Sequence, residues 1–238
     1  MVEDDLSARR CLLLYTKPAH PGRVKTRLIG ELSAEQAAEL HAAFLGDLSE
    51  RLCGGRFHLQ VSWALEEGEE FPEGLVVAGE PVRQPEGDLG DRLYLGLERA
   101  ALRHALVAAV GSDHPELARE TVEDAFERLE SGADAVLGPT ADGGYYLIGL
   151  RRETLCREIF DGVPWSTREV FAHTLERCRR LGLEVALLPA GHDIDVESDL
   201  RRLAARLETA RFETAADDCP RTRALLEDWS WLTRRSAR

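Results

Sequence analysis

Arg23, Lys25 and Arg27 place three cations within five residues, and Lys17 lies just upstream. They belong to the run Lys17-Pro18-Ala19-His20-Pro21-Gly22-Arg23-Val24-Lys25-Thr26-Arg27-Leu28. Gly22 permits a tight backbone, and the two flanking prolines stiffen the loop. A basic loop that follows a strand suits a polyphosphate, because phosphate oxygens seek clustered donors. It is neither a P-loop, since Val24 stands where that motif needs glycine, nor a Gly-x-Gly-x-x-Gly turn. On charge density alone, a solvated loop that offsets nearby acid fits as well.

The acids form a second set. Asp113, in Gly111-Ser112-Asp113-His114-Pro115, directly follows an apolar run, and a carboxylate there reaches a ligand crevice. Hard cations such as Mg²⁺ or Mn²⁺ take oxygen ligands; a helix N-cap is the competing role. Asp193-Ile194-Asp195 points two carboxylates the same way if extended, which is costly without a cation between them. A turn with a helix cap explains the same triplet. Asp142-Gly143-Gly144 combines an acid with backbone that a ligand can approach closely, although a β-turn needs the same residues. Gln84-Pro85-Glu86-Gly87-Asp88 leads into a helix, so Asp88 either contacts ligand or caps that helix.

These residues need elements to hold them. Cys11 to Tyr15 reads as a buried strand. Ser33-Ala34-Glu35-Gln36 is a capping box that opens a helix with Leu40, Phe44, Leu48 and Leu52 on one face. Gly54-Gly55 stops it. Phe57 to Leu65 alternates with period two. Asp88 to His104 reads as a helix, and Ala105 to Val110 as a strand covered on both faces. Glu116 to Glu130 is helical, with Val122, Ala125, Phe126 and Leu129 inward. Strands are expected at Ala135 to Leu137, Tyr145 to Leu150 and Leu183 to Leu188. A second capping box, Ser166-Thr167-Arg168-Glu169, is expected to open a helix through Leu181. Helices follow at Asp199 to Leu207 and Pro220 to Arg234; base rates for buried aromatics favour docking of the last through Trp229 and Trp231 over their facing a partner.

Alternating strands and helices predict an α/β fold with a mostly parallel sheet flanked by helices, and ligands bind beyond the carboxyl ends of such strands. Every candidate lies at such a transition. No linker interrupts the 238 residues, so one domain is expected over 1–238, with a core at about 11–207 and a C-terminal helical segment at about 211–238. The formal net charge of −13 disfavours nucleic acid as a partner. There is no apolar run long enough for a membrane span. Five scattered cysteines without a Cys-x-x-Cys pair, behind an acidic N-terminus, point to a reducing cytoplasm. A homodimer stays open.

The runs KPAHPGRVKTRL, QPEGDLGDRL, GSDHPEL, VLGPTADGGYYLIGL, VPWST and DIDVESDL, in that order, resemble a bacterial family known as domain of unknown function 2064. It is glycosyltransferase-A-like and belongs to the nucleotide-diphospho-sugar transferase superfamily. The resemblance runs from about Cys11 to Leu203. It implies a glycosyltransferase-A fold with one antiparallel excursion in the sheet. By similarity Asp113 is the metal-binding acid, Asp195 with Asp193 beside it resembles the second, and KTRL looks like the basic element of guanylyltransferases acting on small phosphorylated acids. The leading expectation is nucleotidyl transfer. An NTP would lie over Lys17, Gly22, Arg23, Lys25 and Arg27, with Gln84 and Asp88 also against the nucleotide. Mg²⁺ would sit on Asp113 and Asp195, and a phosphorylated acceptor at Asp142, Gly143 and Gly144. Lys25, Arg27 and Asp142 are the expected catalytic residues. Glycosyl transfer from a nucleotide sugar is the alternative, and a non-catalytic nucleotide-binding protein is the third reading.

Overall fold

The computed structural model describes residues 9–210 and 219–231. Its centre is a seven-stranded sheet: β1 (Arg10–Thr16), β2 (His58–Trp63), β3 (Glu80–Arg83), β4 (Leu106–Gly111), β5 (Ala135–Pro139), β6 (Tyr145–Arg151) and β7 (Val185–Leu187). The order across the sheet is β3-β2-β1-β4-β6-β5-β7. Every pairing is parallel except the two made by β6, which runs antiparallel to β4 and β5. The mostly parallel sheet and its single excursion are as expected.

Period-two alternation sorts the side chains between two layers. Leu12, Leu14, Ala108 and Val110 pack with Leu45, Leu48 and Leu52 of α1 (Ala34–Cys53) and with Val122, Phe126 and Leu129 of α3 (Arg119–Glu130). Cys11, Leu13, Val107 and Ala109 face the other way, onto Leu93 and Leu97 of α2 (Leu89–Ala101) and Cys178 of α4 (Val170–Arg180). Each fully buried leucine contributes roughly 1.5–3 kcal/mol of hydrophobic stabilisation.

A third cluster lies outside these layers. The outer face of α1, through Leu40 and Phe44, meets α5 (Glu197–Ala210) and α6 (Pro220–Asp228), together with Leu28, Leu32 and Ile194. Trp229 and Trp231 pack against the same cluster, as expected of a docked C-terminal helix. The link is polar as well. Asp47, wholly buried within α1, accepts from the backbone N–H groups of Arg221 and Thr222 at 2.9 Å each and from Thr222 Oγ1 at 2.7 Å. A side chain from one helix thus caps the start of another.

Several boundaries differ from expectation. The Ser33 capping box forms with Gln36, but the box at Ser166 does not. Ser166 has φ 64°, whereas an N-cap needs extended backbone. Thr167 Oγ1 instead accepts from Glu169 N–H, and the helix starts at Val170. The helix expected from Glu116 starts at Arg119, because Arg51 holds the Pro115 and Leu117 carbonyls in a turn. α6 ends at Asp228; the expected end at Arg234, like most of the stretch from Ala210 to Pro220, lies outside the described residues. No helix among the described residues is long and apolar enough to cross a membrane.

Candidate functional site

β1, β4 and β5 run in the same direction, so their carboxyl ends lie along one edge of the sheet. β1 and β4 are neighbours in register, Tyr15 opposite Gly111, so the basic loop after β1 and Asp113 after β4 emerge side by side. Beyond β7 the chain crosses back over the end of β5, with Gly191 N–H donating to Pro139 O at 2.8 Å. Ile194 N–H then donates to Asp113 O at 2.9 Å. This backbone pairing lays Asp193-Ile194-Asp195 against Asp113, across 80 residues of sequence.

Lys25 joins the two sets of charges. Its Nζ lies 2.5 Å from Asp113 Oδ1, 2.7 Å from Ile194 O and 3.4 Å from Asp195 Oδ1. Its side chain is 2% exposed and passes 5.5 Å from the centre of the Phe44 ring. The backbone at Lys25 is left-handed, φ 47°, at a cost of roughly 1–2 kcal/mol for a side-chain-bearing residue. That conformation turns the ammonium inward. Arg27, largely exposed, reaches Asp195 Oδ2 at 3.4 Å. Asp195 and Val196 N–H groups both donate to Asp199 Oδ2, which fixes the acidic segment at the head of α5.

The acids are not equivalent. The Asp113 side chain is 48% exposed, although protein surrounds its carboxyl group. Desolvation acts to raise its pKa, yet Lys25, with His41 and Lys17 beyond, holds the carboxyl below its usual range. Asp193 goes the opposite way. Burial first, then Asp113, Asp195 and Asp142, push it up to about 7, against a smaller lowering by Lys25. Asp193 is thus raised chiefly because it is shut away from water, with the neighbouring acids adding to the effect. Asp113 is no helix cap: α3 starts at Arg119, after Ala118.

The other expected residues separate. Arg23 leaves the cluster to pair with exposed Glu66 at 2.5 Å, beside a His20–Glu69 contact. Gly22, φ 77°, makes the turn between them possible, closed by Arg23 N–H to His20 O. The exposed side chain of Lys17 contributes its charge, and its carbonyl accepts from His41 Nε2. Gln84 donates through Nε2 to Thr16 O and Ser62 O, at the ends of β1 and β2. Asp88 caps α2, accepting from Asp91 N–H at 2.9 Å. Asp142 accepts from Thr140 Oγ1 and Gly144 N–H within its own turn. Gly143, φ 92°, packs so closely on the next loop that a Cβ would lie 2.1 Å from Arg168 O.

Two contributors escaped sequence reasoning. His41 is buried in α1 and bridges Thr16 Oγ1 and Lys17 O through Nε2; burial lowers its pKa. Its one sequence signal is a lone histidine on the apolar face carrying Leu40 and Phe44. Trp165 lies against Gly90 at the start of α2 and is tilted edge-on to Tyr145, in the strand that follows the Asp142 turn.

The family model described as "Uncharacterized protein conserved in bacteria (DUF2064)" matches residues 54–167. A crystal structure from Desulfovibrio desulfuricans G20, of a provisionally assigned nucleotide-diphospho-sugar transferase, is 32% identical over 95% of this chain and 97% of that one, with a TM-score of 0.85. The chain belongs to this family. Its fold is also that of a cytidylyltransferase from Leptospira borgpetersenii, at 11% identity over 97% of this chain and 99% of that one, TM-score 0.57. A CMP:2-keto-3-deoxy-manno-octonic acid synthetase complexed with CTP is 13% identical over 84% of this chain and 99% of that one, TM-score 0.53. No curated protein matches the chain in sequence. The DUF2064 match holds Gln84, Asp88, Asp113 and the Asp142 turn; Lys25, Arg27 and Asp195 lie outside it.

The residues fit a divalent cation in charge and in donor type. Among the described residues no three His, Cys, Asp or Glu side chains form a closed metal cage. Mg²⁺ does not need one: it is commonly held by one or two carboxylates with substrate phosphates completing its shell. The fit rests on the donor set: Asp113 Oδ1 and Asp195 Oδ1 already converge on one cation, the Lys25 ammonium, at 2.5 and 3.4 Å.

Proposed function

We propose that this protein is a nucleotidyltransferase that moves a nucleoside monophosphate unit from an NTP to a small phosphorylated acceptor. One observation carries the reading: cations from the loop after β1 meet acids from the ends of β4 and β7 at one edge of the sheet, through Lys25 and Arg27. A triphosphate leaving group needs more positive charge than one metal supplies, and this loop holds that charge in reserve. The 32% relative, provisionally a nucleotide-diphospho-sugar transferase, supports the class of ligand.

In this reading the triphosphate lies along Gly22 to Arg27, with Arg27 and Lys25 on its β- and γ-phosphates and Lys17 at its edge. Gln84 and Asp88 border the nucleoside. Asp113 and Asp195, with Asp193 beside them, would hold Mg²⁺ or Mn²⁺, which when bound supplies charge neutralisation at the phosphates. An oxygen of the acceptor phosphate forms the new bond to the α-phosphorus while the bond to the β-phosphate oxygen breaks, and pyrophosphate leaves with that electron pair. The acceptor oxygen is already anionic, so the chain needs to position and neutralise rather than remove a proton. The Asp142-Gly143-Gly144 turn is the acceptor side. Asp142, bound into its own turn, serves there by shaping backbone rather than as a free base. That also weighs against glycosyl transfer with Asp142 orienting an acceptor hydroxyl. The single sheet supports one domain, and five free thiols support a reducing compartment.

The test is a panel of NTPs and nucleotide sugars, each with Mg²⁺ and small phosphorylated acids. Pyrophosphate release by the wild type, lowered at least ten-fold in Arg27→Ala (on the order of 1.4 kcal/mol in transition-state stabilisation), is expected. Consumption of a nucleotide sugar without pyrophosphate would sink the proposal and select glycosyl transfer.

A further inference from the structure

The three protons of the Lys25 ammonium face three acceptors: Asp113 Oδ1, Ile194 O and Asp195 Oδ1. An ammonium has three donors, so in this state Lys25 has none left for a phosphate. Yet Lys25 occupies the space between the two carboxylates that suit a divalent ion. Both jobs cannot be done at once. An ammonium and a divalent cation on the same two carboxylates would also repel each other at that short range.

We infer that Lys25 is the stand-in cation of the Asp113–Asp195 pair: a divalent metal displaces its ammonium, and the displaced ammonium is then free to meet the triphosphate. The inference deepens the proposed function and rests on its metal half. The choice of residue agrees. The chain has 28 arginines but two lysines, Lys17 and Lys25, both in this loop. A compact ammonium on a flexible four-carbon stem can leave and re-engage; a rigid guanidinium fork holds carboxylates in pairs and releases them less readily. The surroundings are built for exchange. Asp199 holds the backbone of Asp195 and Val196 independently of Lys25, and Ile194 N–H stays paired with Asp113 O. The acid pair therefore keeps its place when the ammonium goes. Metal and triphosphate would then bind with positive coupling, since each favours the arrangement in which Lys25 has left the acids.

Two lysines make the test direct. In protein labelled with ¹⁵N-lysine, the side-chain spectrum holds two signals, assigned with Lys17→Arg. Adding Mg²⁺ alone, without nucleotide, is expected to shift the Lys25 ammonium signal and speed its proton exchange, while the Lys17 signal moves less. Mg²⁺ binding, followed by thermal shift, with the Lys25 signal unmoved overturns the inference and leaves the proposed function standing. No Mg²⁺ binding at millimolar concentration overturns the inference as well, while the proposed function is decided separately by pyrophosphate release. A second arm compares Mn²⁺ affinity by electron paramagnetic resonance. Lys25→Met, which removes the competing cation, should bind Mn²⁺ about ten-fold tighter than the wild type, and Lys25→Arg should not. Equal or weaker binding by Lys25→Met overturns the exchange. If that variant does not fold, the labelled wild type decides alone.

Discussion

Replacing Gly143 by alanine tests whether the Asp142 turn and the loop before α4 act as one rigid wall. Two costs separate cleanly. The first is conformational: φ at Gly143 is 92°, and a Cβ there costs roughly 1–2 kcal/mol. The second is steric. The new Cβ would lie 2.1 Å from the Arg168 carbonyl oxygen, where an ordinary carbon–oxygen contact is about 3.3 Å. Backbone must therefore retreat by roughly 1 Å, and overpacking of that kind costs roughly 1–3 kcal/mol. Gly182 supplies the control. It has φ 74°, and a Cβ there meets nothing within 4 Å, so Gly182→Ala carries the first cost alone. In chains of this size each kcal/mol shifts Tm by about 2–4 °C. Gly143→Ala should thus lose roughly 2–5 kcal/mol in urea unfolding and Gly182→Ala roughly 1–2 kcal/mol. Under the proposed function, a displacement of about 1 Å also costs on the order of 100-fold in acceptor-dependent rate, with Mg²⁺ affinity unchanged. Equal stability losses for the two variants would refute the reasoning, because they would show that the loop gives way freely.

Other expectations follow from the same contacts. Asp47→Ala strips the cap from α6 and leaves two backbone N–H groups and the buried Thr222 hydroxyl without an acceptor, so about 2–4 kcal/mol should be lost in chemical denaturation. Glu130, bound to the buried Arg10 at 2.6 Å, has its pKa lowered first by that hydrogen bond. A depressed carboxyl stabilises the fold above its unfolded pKa, about 4.3, and that stability is lost as pH falls below it. Glu130→Gln should therefore flatten the acid limb of a stability–pH curve and lower stability near neutrality. Asp113→Asn should abolish the Mg²⁺-dependent rise in Tm, measured without nucleotide; an unchanged rise would place the metal elsewhere.

The sequence by itself determined six of the seven strands, missing the short, largely exposed edge strand Glu80–Arg83, and showed the charged residues of the candidate site. Alternation along Phe57 to Trp63 suits a strand of period two, and the short apolar runs at Cys11 to Leu14 and Leu106 to Val110 suit strands covered on both faces. Capping chemistry was legible where it is local, as at Ser33. It misled at Ser166, where contact with the Asp142 turn sets the backbone, and it was invisible at α6, whose cap comes from Asp47, 174 residues away. The basic loop and the acids were likewise visible as charges, but not as partners. Which cation faces which acid depends on β1 lying beside β4 and on the chain returning over β5 to set Ile194 against Asp113. That long-range backbone pairing set Lys25 between Asp113 and Asp195, and it buried Asp193 beside the same two acids, which raises its pKa. Residue types fixed the chemistry on offer; the approach of chain segments far apart in sequence decided which groups perform it, because electrostatic energy depends on distances that only the fold sets.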